Sequence, residues 1–362
     1  MSYINLFDTQ VADKFKEAIK ILYKSPKSVF ALAKISSHFK KAEKMRQQWL
    51  ANGVNVPPLL IVSTTERCNL RCVSCYSADI CKESSVELSK ERISGLLDEI
   101  SAAGCSVILL AGGEPLLSKD WLYSVAEHKE LLGLVFSNGL LFDEKWLNFF
   151  YENRNMFLLF SIEGTPEMTD RRRGSGVHEK IEKAMKEMQK MRIPFGVSIT
   201  ASSHNINTVT SQSFTDDYIK LGCKLFIYVE YVPVGNGDMY LPLTPEEKNG
   251  LLEFCSQSSQ KTKDKAIVIA FPGNEEKYDG CLAAGRGFLH ITSSGALEPC
   301  PFAPYSDTNI SDMSFIEALK SKLLETLRDN SRDLHEGVGG CSLRNKEAWI
   351  SKILISSEKP ET

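Results

Sequence analysis

From residue 57 onward the chain alternates short apolar runs with longer polar stretches of helical period. The apolar runs are Pro58-Leu59-Leu60-Ile61-Val62-Ser63, Val107-Ile108-Leu109-Leu110, Leu134-Val135-Phe136, Phe157-Leu158-Leu159-Phe160, Gly196-Val197-Ser198-Ile199 and Phe226-Ile227-Tyr228-Val229. Helical stretches near Ser89–Ala103, 119–130, 143–152, 177–191, 207–221 and 245–259 separate or follow them. Strands alternating with helices predict βαβ units and a parallel sheet, here of six repeats in an α/β fold. Neither a low-complexity tract nor a shorter repeat interrupts this pattern.

Both ends of the chain depart from it. At the start, Phe15-Ile19-Leu22-Tyr23 and Val29-Phe30-Leu32-Ala33-Ile35 recur at helical spacing, with Pro26 as the break between two helices. After residue 260 come short β-like pieces and turns, Ile267-Val268-Ile269-Ala270 and Phe288-Leu289-His290-Ile291 among them. The resulting division is a helical leader over 1–56, the β/α region over 57–260, a cysteine-containing region over 261–345 and a tail over 346–362.

Charge changes the picture in one place. Residues 11–50 hold nine lysines and Arg46 against Asp13, Glu17 and Glu43, a net +7 that leaves about −10 for the remainder. Either this leader packs on the β/α region with its lysines in solvent, or it is a basic amphipathic segment lying on anionic lipid or holding an acidic leader peptide. The second reading makes peripheral membrane contact through residues 11–50 an expectation to test. The whole chain has a net charge of −3, and no nucleic-acid partner is expected. Hydrophobic residues make up 43% and charged ones 25%, enough for a sizeable core. No apolar run approaches the roughly 18 residues that span a bilayer. Ten cysteines without an N-terminal signal peptide predict a reducing cytoplasm, where metal ligands outnumber disulfides.

The densest chemistry lies in Cys68-Asn69-Leu70-Arg71-Cys72-Val73-Ser74-Cys75-Tyr76. Three thiolates at this spacing hold three corners of an iron–sulfur cube and leave the fourth iron without a protein ligand. The alternatives are half of a zinc site, for which Cys81 offers no usual spacing, and a redox CxxC, which leaves Cys68 unexplained. Later strands also end in polar or glycine-rich segments: Ala111-Gly112-Gly113-Glu114-Pro115, Ser137-Asn138-Gly139, Ser161-Ile162-Glu163-Gly164 and Glu230-Tyr231-Val232-Pro233-Val234-Gly235. Glycines permit close backbone approach, and bared carbonyls accept hydrogen bonds from an ammonium group; a plain turn and ordinary strand-end capping explain the same residues.

Taken together, and in this order, these motifs resemble the radical S-adenosylmethionine (SAM) superfamily, whose CxxxCxxC signature follows the first strand of a partial (β/α)6 barrel. The resemblance covers roughly residues 57–345. It implies a [4Fe-4S] cluster on Cys68, Cys72 and Cys75, and SAM held by Gly112, Gly113, Glu114 and Pro115 at its amino group, with Ser137, Asn138, Ser161 and Glu163 as further contacts. Asp170-Arg171-Arg172-Arg173-Gly174-Ser175-Gly176 looks like the family's DxxRGxG segment, which puts Arg173 in register to pair with the SAM carboxylate; an arginine run is also a common solvated face. Two departures are visible: Ser74 stands where many members carry an aromatic, and Glu163 where relatives usually carry Asp.

Between Cys281 and Gly295 lie 13 residues, and four more separate Gly295 from Cys300. This resembles the Cx9–15Gx4C opening of the SPASM or Twitch auxiliary-cluster extension, in which a hairpin turning at Ser294-Gly295 brings Cys281 and Cys300 together and Cys341 adds a third ligand. A second, auxiliary iron–sulfur cluster on Cys281, Cys300 and Cys341 is therefore expected, with Cys255 as a candidate fourth ligand; structural cysteines or a zinc site are the bland alternative. Cys81, Cys105, Cys223 and Cys255 otherwise read as buried small hydrophobes. The resemblance implies reductive SAM cleavage to a 5′-deoxyadenosyl radical, hydrogen-atom abstraction, and an electron donor such as ferredoxin or flavodoxin. For substrate, a ribosomally made peptide stands first, a membrane lipid or cofactor precursor second, and a non-enzymatic iron–sulfur or zinc carrier is the third reading.

Overall fold

The computed structural model describes residues 3–77, 86–234, 238–271, 273–334 and 341–357. The apolar runs become strands β1 Leu59–Ser63, β2 Val107–Ala111, β3 Leu132–Ser137, β4 Met156–Ile162, β5 Phe195–Ala201 and β6 Cys223–Glu230, joined in parallel in sequence order. Helices α1 Tyr3–Ile21 and α2 Pro26–Ala51 precede them, and α3 Lys90–Ala103, α4 Lys119–Glu127, α5 Glu144–Glu152, α6 Pro166–Arg173, α7 Val177–Lys190, α8 Gln212–Lys220 and α9 Pro245–Lys261 lie between or after them. Local chemistry sets their ends. Ser89 accepts from the Arg92 amide and starts α3, Gly104 at φ +105° stops it, and Thr244 with Glu247 forms a full capping box on α9. The helix expected over 207–221 is divided into a single turn, Ile206–Val209, and α8, because Ser211 caps a new start.

The sheet is wider than the expected six strands. On one edge β7 Ile267–Phe271 pairs parallel with β6, and on the other β8 Phe288–Ile291 pairs parallel with β1 and antiparallel with β9 Leu297–Glu298. The order is β7-β6-β5-β4-β3-β2-β1-β8-β9. Paired residues in a sheet share a face, so Ile61, Leu109 and His290 lie on one side and Leu60 and Val62, both fully buried, on the other. Phe271 and Phe288 belong to the first of these faces, from opposite sides of the six-strand array, yet their rings are 5.4 Å apart. The sheet therefore curls into a partial barrel, and the face of Ile61 is its interior. Among the described residues no helix is long and apolar enough to cross a membrane.

The leader folds as two helices with the break at Pro26; part of its apolar face is covered, while Tyr23 and Phe30 stand 66% and 76% exposed. Phe15 and Phe39 pack ring to ring at 5.4 Å, and Ile35, Phe39 and Ala42 are at most 1% exposed. Lys20, Lys24, Lys27 and Lys34 face solvent, as both readings of the leader require. Beneath them Arg46 pairs with Asp8 at 2.9 Å, both almost fully buried, and donates to the Gly104 carbonyl at the end of α3. A Cβ on Gly104 would lie 2.8 Å from the Ala42 carbonyl, so α2 is seated directly on the barrel's first crossover helix. At the other end of the leader, Phe7 packs edge-on against Tyr278 at 5.8 Å and Gln10 accepts a hydrogen bond from the Tyr278 hydroxyl.

Removing one partner of a buried ion pair leaves an uncompensated charge. Asp8→Ala is expected to destabilise the protein by about 3–5 kcal/mol in urea unfolding, and Asp8→Ala with Arg46→Leu by less. A loss under about 1 kcal/mol in the single variant would show that the leader lies outside the cooperative unit.

Candidate functional site

The segment after β1 leaves the sheet as the cysteine loop and runs beside the end of β2. The Thr64 amide donates to the Ala111 carbonyl, Gly113 to Thr65, and Glu114 to Arg67, at 2.8 to 3.0 Å. This abutment leaves no room for side chains. A Cβ on Gly112, itself at φ +107°, would sit 2.6 Å from the Thr65 carbonyl oxygen, and one on Gly113 would sit 2.1 Å from that of Arg67.

Glu114 then ties β2 to β3. Its carboxyl is 1% exposed; Oε1 accepts from the Ser137 hydroxyl at 2.7 Å and the Leu116 amide at 3.1 Å, and Oε2 from the Asn138 amide at 2.8 Å. Burial raises its pKa above the ordinary carboxylate value, and these hydrogen bonds oppose the rise. Pro115 opens the short 3-10 turn that follows. Ser137 is fully buried, with its hydroxyl given to Glu114 and accepting from the Gly139 amide, so it stands behind the Glu114 carboxyl. Asn138 reaches forward. Its Nδ2 donates to Asn69 Oδ1 at 2.8 Å and faces the Cys68 sulfur at 3.9 Å.

The far side of the loop is held by α6. Val73 donates to the Arg172 carbonyl, and the Arg172 guanidinium returns a hydrogen bond to the Val73 carbonyl. Arg172 and Arg173 converge on one oxygen of Glu163, each with a contact of 2.6 Å, and Arg172 also donates to Thr200 at 2.7 Å. The arginine run is thus a structured clamp, with Glu163 at 4% exposure as its anchor. Ser161 and Ser198 face each other across β4 and β5, half-buried on the interior face. Ser74 takes a left-handed φ of +53°, which suits a short polar residue better than an aromatic.

Cys68 is exposed and Cys72 and Cys75 are half-buried, all as free thiols. Desolvation pushes the Cys68 and Cys72 thiols up, while the Arg173 and Arg172 charges pull Cys72 down. These residues fit an iron–sulfur cube: three soft donors, an amide aimed at one sulfur, and two guanidinium charges beside another. Among the described residues no group of three or more Cys, His, Asp or Glu converges as a single metal ion requires. Cys81 and residues 235–237, part of the expected substrate mouth, lie outside the described residues.

The second cysteine group is assembled by the hairpin of β8 and β9, which turns through Gly295 at φ +91°. Burial pushes the Cys281, Cys300 and Cys341 thiols up; Cys300 and Cys341 add to the rise at Cys281, and Cys341 to that at Cys300. A buried carboxylate, Glu275, acts on all three. Cys255 is not part of this group: it is packed in α9, pushed up to about 12 by burial alone. Cys105 and Cys223 are likewise fully buried, each donating to a backbone carbonyl. Between the two cysteine sites, Tyr76 of the first loop packs on Phe302, two residues past Cys300, at 5.1 Å.

Sequence reasoning missed one further group. His290 projects from β8 onto the interior face; its Nδ1 meets Glu298 Oε2 at 2.7 Å and its Nε2 meets the Ser63 hydroxyl at 2.8 Å. Such a chain can hold and pass a proton at the end of β1. The signal was a lone histidine in the apolar run Phe288–Ile291, and its meaning depended on β8 lying beside β1.

Residues 62–211 match the family described as the radical SAM superfamily. Over 304 residues, 76% of this chain and 86% of the relative, the sequence is 26% identical to the AdoMet-dependent heme synthase of Methanosarcina barkeri. Among solved structures it is similar to Streptococcus suis SuiB bound to precursor peptide SuiA, with a TM-score of 0.64 at 14% identity over 84% of this chain and 74% of that one. It is also similar to anSMEcpe with bound AdoMet and Cp18Cys peptide, with a TM-score of 0.58 at 17% identity over 83% and 98%. At these identities the two structures share the fold.

Gly113→Ala forces a methyl group into backbone, an overpacking that costs about 1–3 kcal/mol or more and displaces the cysteine loop. The expected outcome is loss of most of the roughly four irons assigned to that loop after anaerobic reconstitution. Full loading in this variant would show that the loop does not depend on the glycine abutment.

Proposed function

We propose that this chain, whose residues 62–211 match the radical SAM superfamily, is an enzyme with a SPASM/Twitch-like C-terminal extension that cleaves SAM reductively and modifies a substrate within the barrel. The observation that supports it best is the clasp of the cysteine loop on Gly112-Gly113-Glu114, with Asn138 aimed at Cys68. The chemistry that a bound [4Fe-4S] cluster and SAM supply is reductive cleavage of a C–S bond followed by hydrogen-atom abstraction.

The protein's own residues do the rest. Cys68, Cys72 and Cys75 hold the cluster, and the carbonyls and carboxyl of the Gly112–Pro115 turn receive the SAM amino group. Arg173, which Glu163 orients, is offered to the SAM carboxylate; Ser161 and Asn138 are offered to its remaining polar groups. Interior aromatic residues such as Phe136 and Phe157 exclude water from the space above them. Cys281, Cys300 and Cys341 hold an auxiliary iron–sulfur cluster, and an external one-electron donor such as ferredoxin or flavodoxin supplies reducing equivalents. The exposed lysine face of the leader is the place where an anionic partner, whether a leader peptide or a lipid surface, would dock.

Two substrate classes remain in competition. A cofactor precursor is favoured by the heme synthase relative, whose similarity spans most of both chains. A ribosomally made peptide is favoured by the likeness in fold to SuiB, whose structure is bound to precursor peptide SuiA. Substrate deuterated at candidate carbons separates them: transfer of deuterium into 5′-deoxyadenosine from an iron porphyrin supports the first, and transfer from a peptide supports the second.

After anaerobic reconstitution with iron and sulfide, the native protein is expected to carry about eight irons and to yield 5′-deoxyadenosine with dithionite and SAM. Cys68→Ala/Cys72→Ala/Cys75→Ala abolishes that yield and keeps about four irons, as does Cys281→Ala/Cys300→Ala/Cys341→Ala by iron count. Well-loaded native protein that gives no 5′-deoxyadenosine with any reductant sinks the proposal and leaves a metal carrier.

A further inference from the structure

The solvent side of α2 has a helical period of its own. Lys27, Phe30, Lys34, Ser37, Lys41 and Lys44 are all exposed, and at 3.6 residues per turn they form one face about 25 Å long. Leu32, Ile35, Phe39 and Ala42 lie buried on the opposite side. Glu43, the one acidic residue of Pro26–Ala51, falls on that opposite side too, so the exposed face of α2 carries lysines and no carboxylate.

Two exposed aromatic rings accompany the lysines. Tyr23 lies in the turn between α1 and α2, with the Lys24 ammonium over its ring at 5.5 Å, and Phe30 stands one turn into α2. Lys27 reaches the Tyr151 ring of α5 at 4.3 Å, and Arg154 stacks on the same ring at 4.9 Å, which carries the positive surface from the leader onto the barrel. An anionic bilayer takes up this combination: ammonium groups meet headgroup charge while rings enter the headgroup boundary. The charge of the whole chain sets the approach. An anionic surface attracts the +7 of residues 11–50 and repels the remainder at about −10, so the leader arrives first. A peptide, by contrast, is gripped by a sheet edge or an apolar groove. This face is the convex outer side of one helix, whose apolar side is already buried against α1 and α3.

We propose that the lysine face of α2, with Tyr23 and Phe30, docks the protein on an anionic lipid bilayer. The proposal names the partner for the docking face described above and rests on that reading, apart from the SAM chemistry. Bound in this way, α2 lies along the membrane plane and the two rings sit at headgroup level, with the Asp8–Arg46 pair and the leader's packing intact.

The test sediments the full chain with vesicles of equal parts phosphatidylserine and phosphatidylcholine, and with vesicles of phosphatidylcholine alone. Binding to the first and not the second is expected, and it falls as salt is raised. Lys27→Glu/Lys34→Glu/Lys41→Glu/Lys44→Glu is expected to weaken binding at least about a hundredfold. Tyr23→Ser/Phe30→Ser, which leaves the charge unchanged, weakens it about tenfold. Equal binding of the native protein to both vesicles, or parent-like binding by the lysine variant, overturns the proposal, and parent-like binding by Tyr23→Ser/Phe30→Ser overturns the seating of the rings. If the lysine variant fails to fold by circular dichroism, the same four positions changed to Gln decide by the same criterion. A native protein that ignores both vesicles but binds poly-glutamate keeps the docking face and assigns it to an acidic peptide, which overturns the lipid proposal; one that binds neither overturns the docking face with it.

Discussion

Everything at the mouth of this barrel depends on two backbones lying too close for side chains. The Gly113 position would put a methyl group 2.1 Å from the Arg67 carbonyl oxygen, and that forbidden contact is what lets residues 64–67 run along 111–114 through three backbone hydrogen bonds. Once the loop is fixed at its root, the remaining ties act on its flanks. Glu114 binds the end of β2 to the end of β3, Asn138 reaches from β3 to Cys68 and Asn69, and Arg172 secures Val73. The cysteine loop is thereby pinned at several points, which is how a site on a loop acquires the precision of one on a strand.

The electrostatics follow the same division. On the Cys68 side the supports are a neutral amide and a carboxyl that burial pushes toward its protonated form. On the Cys72 side they are two guanidinium groups, both leaning on Glu163. A cluster seated between them meets positive charge on one flank and hydrogen-bond dipoles on the other. Hydrogen bonds and local charge are among the protein's principal means of setting a cluster's potential. Glu163, one methylene longer than an Asp, gathers both arginines on a single carboxylate oxygen.

The elements were largely legible in the sequence, and their partners were not. Apolar runs gave β1 to β6, Pro26 marked the break between α1 and α2, and the spacing of Cys281, Gly295 and Cys300 foretold the hairpin. Hydrophobic period fixes which residues are buried, but says nothing of which edge a strand will join. Thus β8 was readable as a strand, while its place beside β1 was not, and with it the meeting of His290 and Ser63 across 227 positions went unseen. Glu275 was invisible for another reason. A lone glutamate in a polar stretch reads as solvent-exposed, and only the packing of Phe7 and Tyr278 reveals that its turn is buried.

That packing changes what the basic leader is for. Its apolar stripe and positive face together read as a membrane or peptide-binding helix, yet much of the stripe is taken up by the buried Phe15, Ile35 and Phe39, which leaves Tyr23 and Phe30 exposed. Its first turns press on Tyr278, three residues from Glu275 in the same 3-10 turn. The leader therefore connects two places that the chain order keeps far apart: the crossover helix after the cysteine loop and the turn beside the auxiliary cysteines. A segment with that role cannot lift away to bind a partner without loosening the auxiliary site. Any partner it meets would be met by its lysines and by the exposed Tyr23 and Phe30, with the helices left in place.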